Sequence, residues 1–160
     1  MPLPDVLEPK LKVVFCGTAV GPAANRLQAY YAGPGNRFWW ILHEVGLTPW
    51  QLEPQEYGRV REFGIGLTDL AKRTAATDPN LVPDDFDVGA VSAKIRQYAP
   101  RALAFNGKRA AQEFLDHSAE YGRQQETSGT TALFVLPSTS ARARRYWDES
   151  YWFELADFVA

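Results

Sequence analysis

One cysteine, two histidines and no long apolar run leave this 160-residue chain without the usual means of disulfide stapling, zinc binding or membrane insertion. Cys16 has no partner for an intramolecular disulfide. Its place in the apolar run Val13-Val14-Phe15-Cys16 makes it a buried thiol, as fits a reducing compartment. His43 and His117 have no second His or Cys at ligand spacing, so they read as structural or surface residues and no metal site is expected. No stretch nears the ~20 apolar residues of a bilayer span, and the N-terminus lacks the charged-then-apolar pattern of a signal peptide. A cytoplasmic protein without membrane association is expected. The formal net charge of -2 gives no global field to hold nucleic acid, so any such contact must rest on local patches.

Local patches are present. Arg142, Arg144 and Arg145 crowd together, Lys108 and Arg109 follow an apolar run, and Arg59, Arg61, Lys72 and Arg73 bracket another segment. Taken singly, each of these also reads as an ordinary solubilising charge at a helix end. An apolar share of 46% suits one core, and one domain is expected over residues 1–160. Residues 1–10 carry three prolines and no periodicity, which reads as a lead-in arm.

The organising stretch is Val13-Val14-Phe15-Cys16-Gly17-Thr18-Ala19-Val20-Gly21, a buried strand running into a loop with a glycine at each end. Pro22 to Gly35, rich in Ala, Gly and Pro, reads as an irregular segment. Asn36 caps a helix whose Phe38, Ile41, Leu42 and Val45 recur at helical spacing before Gly46 stops it, with Trp39 and Trp40 as packing residues. Pro54 to Glu62 reads as a short polar helix, and Phe63 to Leu70 as an extended segment ending at Asp69. Ala71 to Pro83 reads as a loop. Asp84, Asp85 and Asp87 then open a helix over Val88, Val91, Ile95 and Tyr98, where acidic residues suit the helix dipole better than a metal.

Ala102-Leu103-Ala104-Phe105 reads as a strand that turns at Asn106-Gly107 into a helix, and Tyr121 to Thr130 as a loop or weak hairpin. Thr131 to Leu136 is the last strand, followed by Pro137-Ser138-Thr139-Ser140. Trp147, Tyr151, Leu155 and Phe158 mark a C-terminal amphipathic helix. Strands alternating with helices predict an α/β fold, a three-layer α/β/α sandwich around a mainly parallel sheet. In such sheets ligands bind at the carboxyl ends of strands, so the loops after the first and last strands are expected to face one cleft.

In order along the chain, GTAVG, Tyr31-Ala32-Gly33-Pro34-Gly35-Asn36-Arg37-Phe38-Trp39, FGIGLTDL, AFNGK and LPSTSARA resemble the mismatch-specific uracil-DNA and thymine-DNA glycosylase family. The resemblance runs from about Lys12 to the last helix. It implies a monofunctional DNA glycosylase that flips uracil, or thymine and other damaged pyrimidines, out of a G mispair and hydrolyses the glycosidic bond. The implied partner is double-stranded DNA containing a G:U or related mismatch, with no obligate protein partner. Water-driven excision calls for no cofactor.

The resemblance also implies roles for residues. Tyr31 would stack on the flipped base, and the backbone of Gly17, Thr18, Ala19 and Val20 would bond its edge. Ser138 would be a polar pocket residue. Ala141, Arg142 and Ala143 would form the wedge that enters the duplex, Arg142 having the alternative of a phosphate clamp. Lys108 and Arg144 would contact phosphates.

One departure matters. The third residue of the first loop, usually an asparagine that positions the attacking water in this family, is Ala19 here, and a methyl group cannot bond water. Cleavage through an oxocarbenium-like sugar favours a nearby carboxylate, which stabilises positive charge and can orient or deprotonate water. Asp69 is the candidate, with helix capping before Leu70 as the alternative reading. Two other functions stay open. One is a catalytically inactive mismatch-binding protein. The other is a flavodoxin-like phosphate binder using GTAVG as its anion loop, which lacks a basic residue there and leaves PSTSARA unexplained.

Overall fold

The computed structural model describes residues 3–73 and 75–160, so the first two residues of the expected arm lie outside the described residues. Five strands form one sheet in the order β2-β1-β3-β5-β4. They are β1 (Val13–Ala19), β2 (Ile65–Ala71), β3 (Ala102–Asn106), β4 (Gly122–Ser128) and β5 (Thr131–Leu136). All pairings are parallel except that of β4 with β5. Helices α1 (Pro22–Leu27), α2 (Phe38–Glu44), α3 (Val88–Tyr98), α4 (Lys108–Leu115) and α5 (Ser150–Val159) complete the expected three-layer sandwich.

Both sheet faces are covered, so the inner strands read as continuous apolar runs rather than alternating ones. On one face Val13, Phe15, Ile65, Leu67, Ala104 and Phe134 pack with Phe38, Ile41 and Leu42 of α2 and Trp152 and Leu155 of α5. On the other, Val14, Cys16, Leu103 and Phe105 meet Val91 and Ile95 of α3 and Ala110 and Ala111 of α4. Phe15 joins the first layer tightly, edge-on to Phe38 at 5.2 Å and stacked on Trp152 at 5.5 Å between centroids. The N-cap of α2 is Arg37 rather than the expected Asn36, whose Oδ1 accepts from the Phe38 amide at 3.0 Å just ahead of it, and Asp87 caps α3 by accepting from Ala90.

Several expectations need correction. Gly17, Thr18 and Ala19 are not a loop: β1 runs through them, paired Gly17 to Asp69 and Ala19 to Ala71. Asp69 likewise sits inside β2 and no helix starts at Leu70, so the capping alternative is excluded. Pro22 to Gly35 is not wholly irregular, because Pro22 starts the six-residue α1, which Gln28 ends in a left-handed conformation. Of the two readings of Tyr121 to Thr130 the hairpin holds and the loop does not: β4 pairs antiparallel with β5, and its exposed polar side chains guard the sheet edge. Helix α5 begins at Ser150, and Trp147 precedes it.

The arm is built into the fold. Val6 exchanges both backbone hydrogen bonds with Leu67 of β2, each 2.9 Å, and Leu3 is buried. Gly66 makes the crossing feasible: a Cβ there would lie 2.6 Å from the Val6 carbonyl oxygen and 2.8 Å from Leu11 Cδ1. Gly66→Ala is therefore expected to push the arm off the sheet and to cost about 1–3 kcal/mol, the usual penalty of overpacking, measurable by urea unfolding.

Candidate active site

In a parallel sheet every second side chain shares a face. Counting from Phe15 and Leu67, Gly17 and Asp69 are the next residues on the α2/α5 face at the carboxyl ends of β1 and β2, and Asn106 holds the matching place on β3. Three neighbouring strands thus present a carboxylate, a glycine and a carboxamide in a row. The glycine is required by close approach and not by a turn. A Cβ on Gly17 would lie 2.8 Å from Asp69 Oδ1 and 3.2 Å from the Tyr31 hydroxyl.

Tyr31 closes the row from above. Its φ of +55° is unusual for a residue with a side chain and costs on the order of 1 kcal/mol. The ring lies over Phe38 at 4.0 Å between centroids, tilted 30°, so one ring face is covered. The buried hydroxyl has no hydrogen-bond partner, and neither has Asp69 Oδ2, among the described residues. Buried polar groups are usually hydrogen-bonded, which sets these two atoms apart from the rest of the interior.

Asp69 is 3% exposed. Burial raises its carboxyl to about 6, with the charge of Asp5 acting the same way; Lys72 and the Gly17 backbone oppose the rise. Burial and the Asp69 charge push the Tyr31 hydroxyl well above its ordinary value, with Asn106 acting the other way. Lys72, directly after β2, stands 3.7 Å from Asp69 Oδ2, an ion pair without a hydrogen bond.

The loop after β5 joins this row. Asn106 Oδ1 accepts from the Thr139 amide and its Nδ2 donates to Thr139 Oγ1, both 2.9 Å. The Arg37 amide donates to the Thr139 carbonyl at 3.0 Å, and the Arg37 guanidinium lies over Trp147. The loop after β5 is thus tied to the end of β3 and to the segment leading into α2. Ser138 Oγ accepts from the Ser140 amide, and Ser140 Oγ in turn accepts from Arg142. This seats Ala141, Arg142 and Ala143 in a 3-10 helix, Ala141–Tyr146, with Arg142 exposed. A Cβ on Gly35 would lie 3.1 Å from that of Ala141 and 3.4 Å from the Arg144 guanidinium, so this helix rests on the segment leading into α2. Lys108 stands at the same edge, its ammonium 4.5 Å over the Tyr121 ring and 3.9 Å from Glu120.

Thr18 and Val20 are buried and Ala19 is half-buried. Sequence reasoning missed Asn106, Thr139, Lys72 and Asp5 as site residues. For Asn106 a signal existed: a polar residue closing an apolar strand, just before a glycine, falls at the carboxyl edge. Asp5 and Lys72 carry no such signal.

A family model described as the uracil DNA glycosylase superfamily matches residues 4–157. Among solved structures, the solution NMR structure of a candidate uracil DNA glycosylase from Methanosarcina acetivorans is similar, with a TM-score of 0.65 at 21% identity. The match covers 99% of this chain and 96% of that one, and at this identity it speaks for the fold.

Proposed function

The chain belongs to the uracil DNA glycosylase superfamily, and from that membership we propose that it is a mismatch-specific glycosylase of the uracil/thymine type, acting on a base flipped out of a G mispair. The observation that carries this reading is the buried carboxylate of Asp69, one oxygen unpartnered, facing the Tyr31 hydroxyl across Gly17. In this reading the flipped pyrimidine stacks on Tyr31, and main-chain groups of Thr18 to Val20 together with Ser138 meet its edge.

As the glycosidic bond lengthens, positive charge grows on the sugar and the Asp69 carboxylate opposes it. Water held by Asp69 Oδ2 attacks C1′, its proton passes to Asp69, and the bond electrons leave with the base. The departed base anion then takes up the proton, by way of Asp69 or solvent, so that the products are the free base, an abasic sugar and the carboxylate as it began. Asp69 thereby takes over the water-positioning task that Ala19 cannot perform. Arg142 fills the gap left by the base, and Lys108 and Arg144 engage the phosphates.

The test is single-turnover base release from a duplex carrying one uracil opposite guanine. Release supports the reading; tight binding without release favours the inactive mismatch reader that Ala19 would otherwise mark. Arg142→Ala separates wedge from clamp. A wedge predicts a loss of roughly tenfold or more on duplex and little change on single-stranded uracil, because only the duplex has an unstacking cost to offset. A clamp predicts instead a shallower salt dependence of binding.

A further inference from the structure

Lys72 is placed to neutralise Asp69 yet does not bond it, and the reason lies in the N-terminal arm. An ammonium has three protons to donate. Those of Lys72 go to the Leu3 carbonyl at 3.0 Å, the Tyr30 hydroxyl at 2.7 Å and Asp5 Oδ1 at 2.8 Å. Two of these acceptors belong to the arm, and the third is fixed by it, since the Tyr30 hydroxyl donates to the Pro4 carbonyl at 3.1 Å. Asp5 is itself aimed by Thr68 Oγ1, which donates to Oδ1 at 2.8 Å, and by Lys94 of α3 on Oδ2. Asp69 Oδ2, 3.7 Å from the same ammonium, receives nothing.

We propose that Asp5 is a positioning residue for Asp69: by occupying Lys72 together with Leu3 and Tyr30, it keeps the ammonium off Asp69 Oδ2 and leaves that oxygen for the reacting water. This rests on the reading of Asp69 as the group that handles the water. The groups facing Asp69 are few. They are the Gly17 backbone from β1, Tyr30 and Tyr31 from the segment before α2, Lys72 after β2, and Asp5 from the arm with Lys94 behind it, while the Cys16 thiol of β1 lies on the other face of the sheet. Of these, only Lys72 is a cation close enough to bond it, and Asp5 is its nearest carboxylate partner. Without the Asp5 charge, a small swing of Lys72 closes the 3.7 Å gap. Asp69 then becomes a bonded, weaker base, and the loss of the neighbouring negative charge acts in the same direction.

Two readouts test this. The first is the titration of the Asp69 carboxyl by ¹³C NMR in protein without DNA, with amide spectra checking the fold of each variant. Asp5→Asn is expected to lower the midpoint by about one unit or more, and Lys72→Met to raise it. The double variant, lacking both members of the pair, is expected to return close to wild type, a compensation that a merely structural role would not produce. An unmoved or raised midpoint in Asp5→Asn, or no compensation in the double variant, overturns the role of Asp5. The second readout is the acid limb of single-turnover release from the G:U duplex, which should move with the carboxyl. A moved titration with an unmoved limb, or a wild type that releases no base, overturns the reading of Asp69 as the group that handles the water.

Discussion

Asp69→Asn is expected to slow base release sharply and at the same time to make the protein more stable. The carboxyl titrates near 6 in the fold against an ordinary value of 3.8, so between these values the folded chain holds a proton that the unfolded chain has lost. The contribution of Asp69 to stability is therefore most favourable below 3.8, falls as pH rises through that window and is lower by about 3 kcal/mol once the carboxyl is fully charged. Asparagine carries no charge to desolvate, so urea unfolding at pH 7.5 should show a gain on the order of 1–3 kcal/mol that vanishes at pH 4. Single-turnover release should fall by roughly 10²-fold or more. In the wild type, release should rise with pH through an acid limb centred near 6, and the residual activity of the variant should lack it. An unchanged rate in Asp69→Asn would remove the carboxylate from the mechanism. Gain of stability with loss of function is the expected signature of a buried charge kept for its chemistry.

Gly17→Ala should be nearly as damaging to activity, by geometry alone. The added methyl would meet Asp69 Oδ1 at 2.8 Å and the Tyr31 hydroxyl at 3.2 Å, and nothing in the extended backbone of β1 resists alanine. The conflict is thus confined to the site. Either Asp69 turns away or Tyr31 lifts, and a displacement of about 1 Å at reacting groups costs roughly 10²-fold in rate. Stability should fall by about 1–3 kcal/mol, as for other overpacked positions. Gly58→Ala, where a methyl meets nothing within 4 Å, is the control. Wild-type release rates in Gly17→Ala would show that Asp69 and Tyr31 need not keep this spacing.

The layers of the fold were legible because buried parallel strands are written as apolar runs: Ala102–Asn106 and Thr131–Leu136 are unmistakable beside helices with period 3.6. Where the reading failed, the cause was a residue type serving two ends. Gly17 signalled a turn and turned out to admit a carboxylate against the strand. Helix α1 buries a single residue, Ala24, and so has no stripe to read. Strand β4 is held by backbone pairing to β5 and carries a polar sequence, which periodicity scores as loop. Asp69 is singled out in the sequence as the carboxylate of its segment, and the fold buries it near the end of β2. Its surroundings were not legible, because Asp5 reaches Thr68 across 63 positions and Lys94 across 89.

The bonds from Asn106 and Arg37 to Thr139 bear on how fast the protein can engage its partner. They join the loop after β5 to β3 and to the start of α2 before any duplex arrives. Ordering a loose residue costs about 1–2 kcal/mol of chain entropy, and a surface tied together in advance has little of that left to lose on docking. Association with DNA should then be governed by diffusion and the ionic atmosphere of the duplex rather than by slow loop closure.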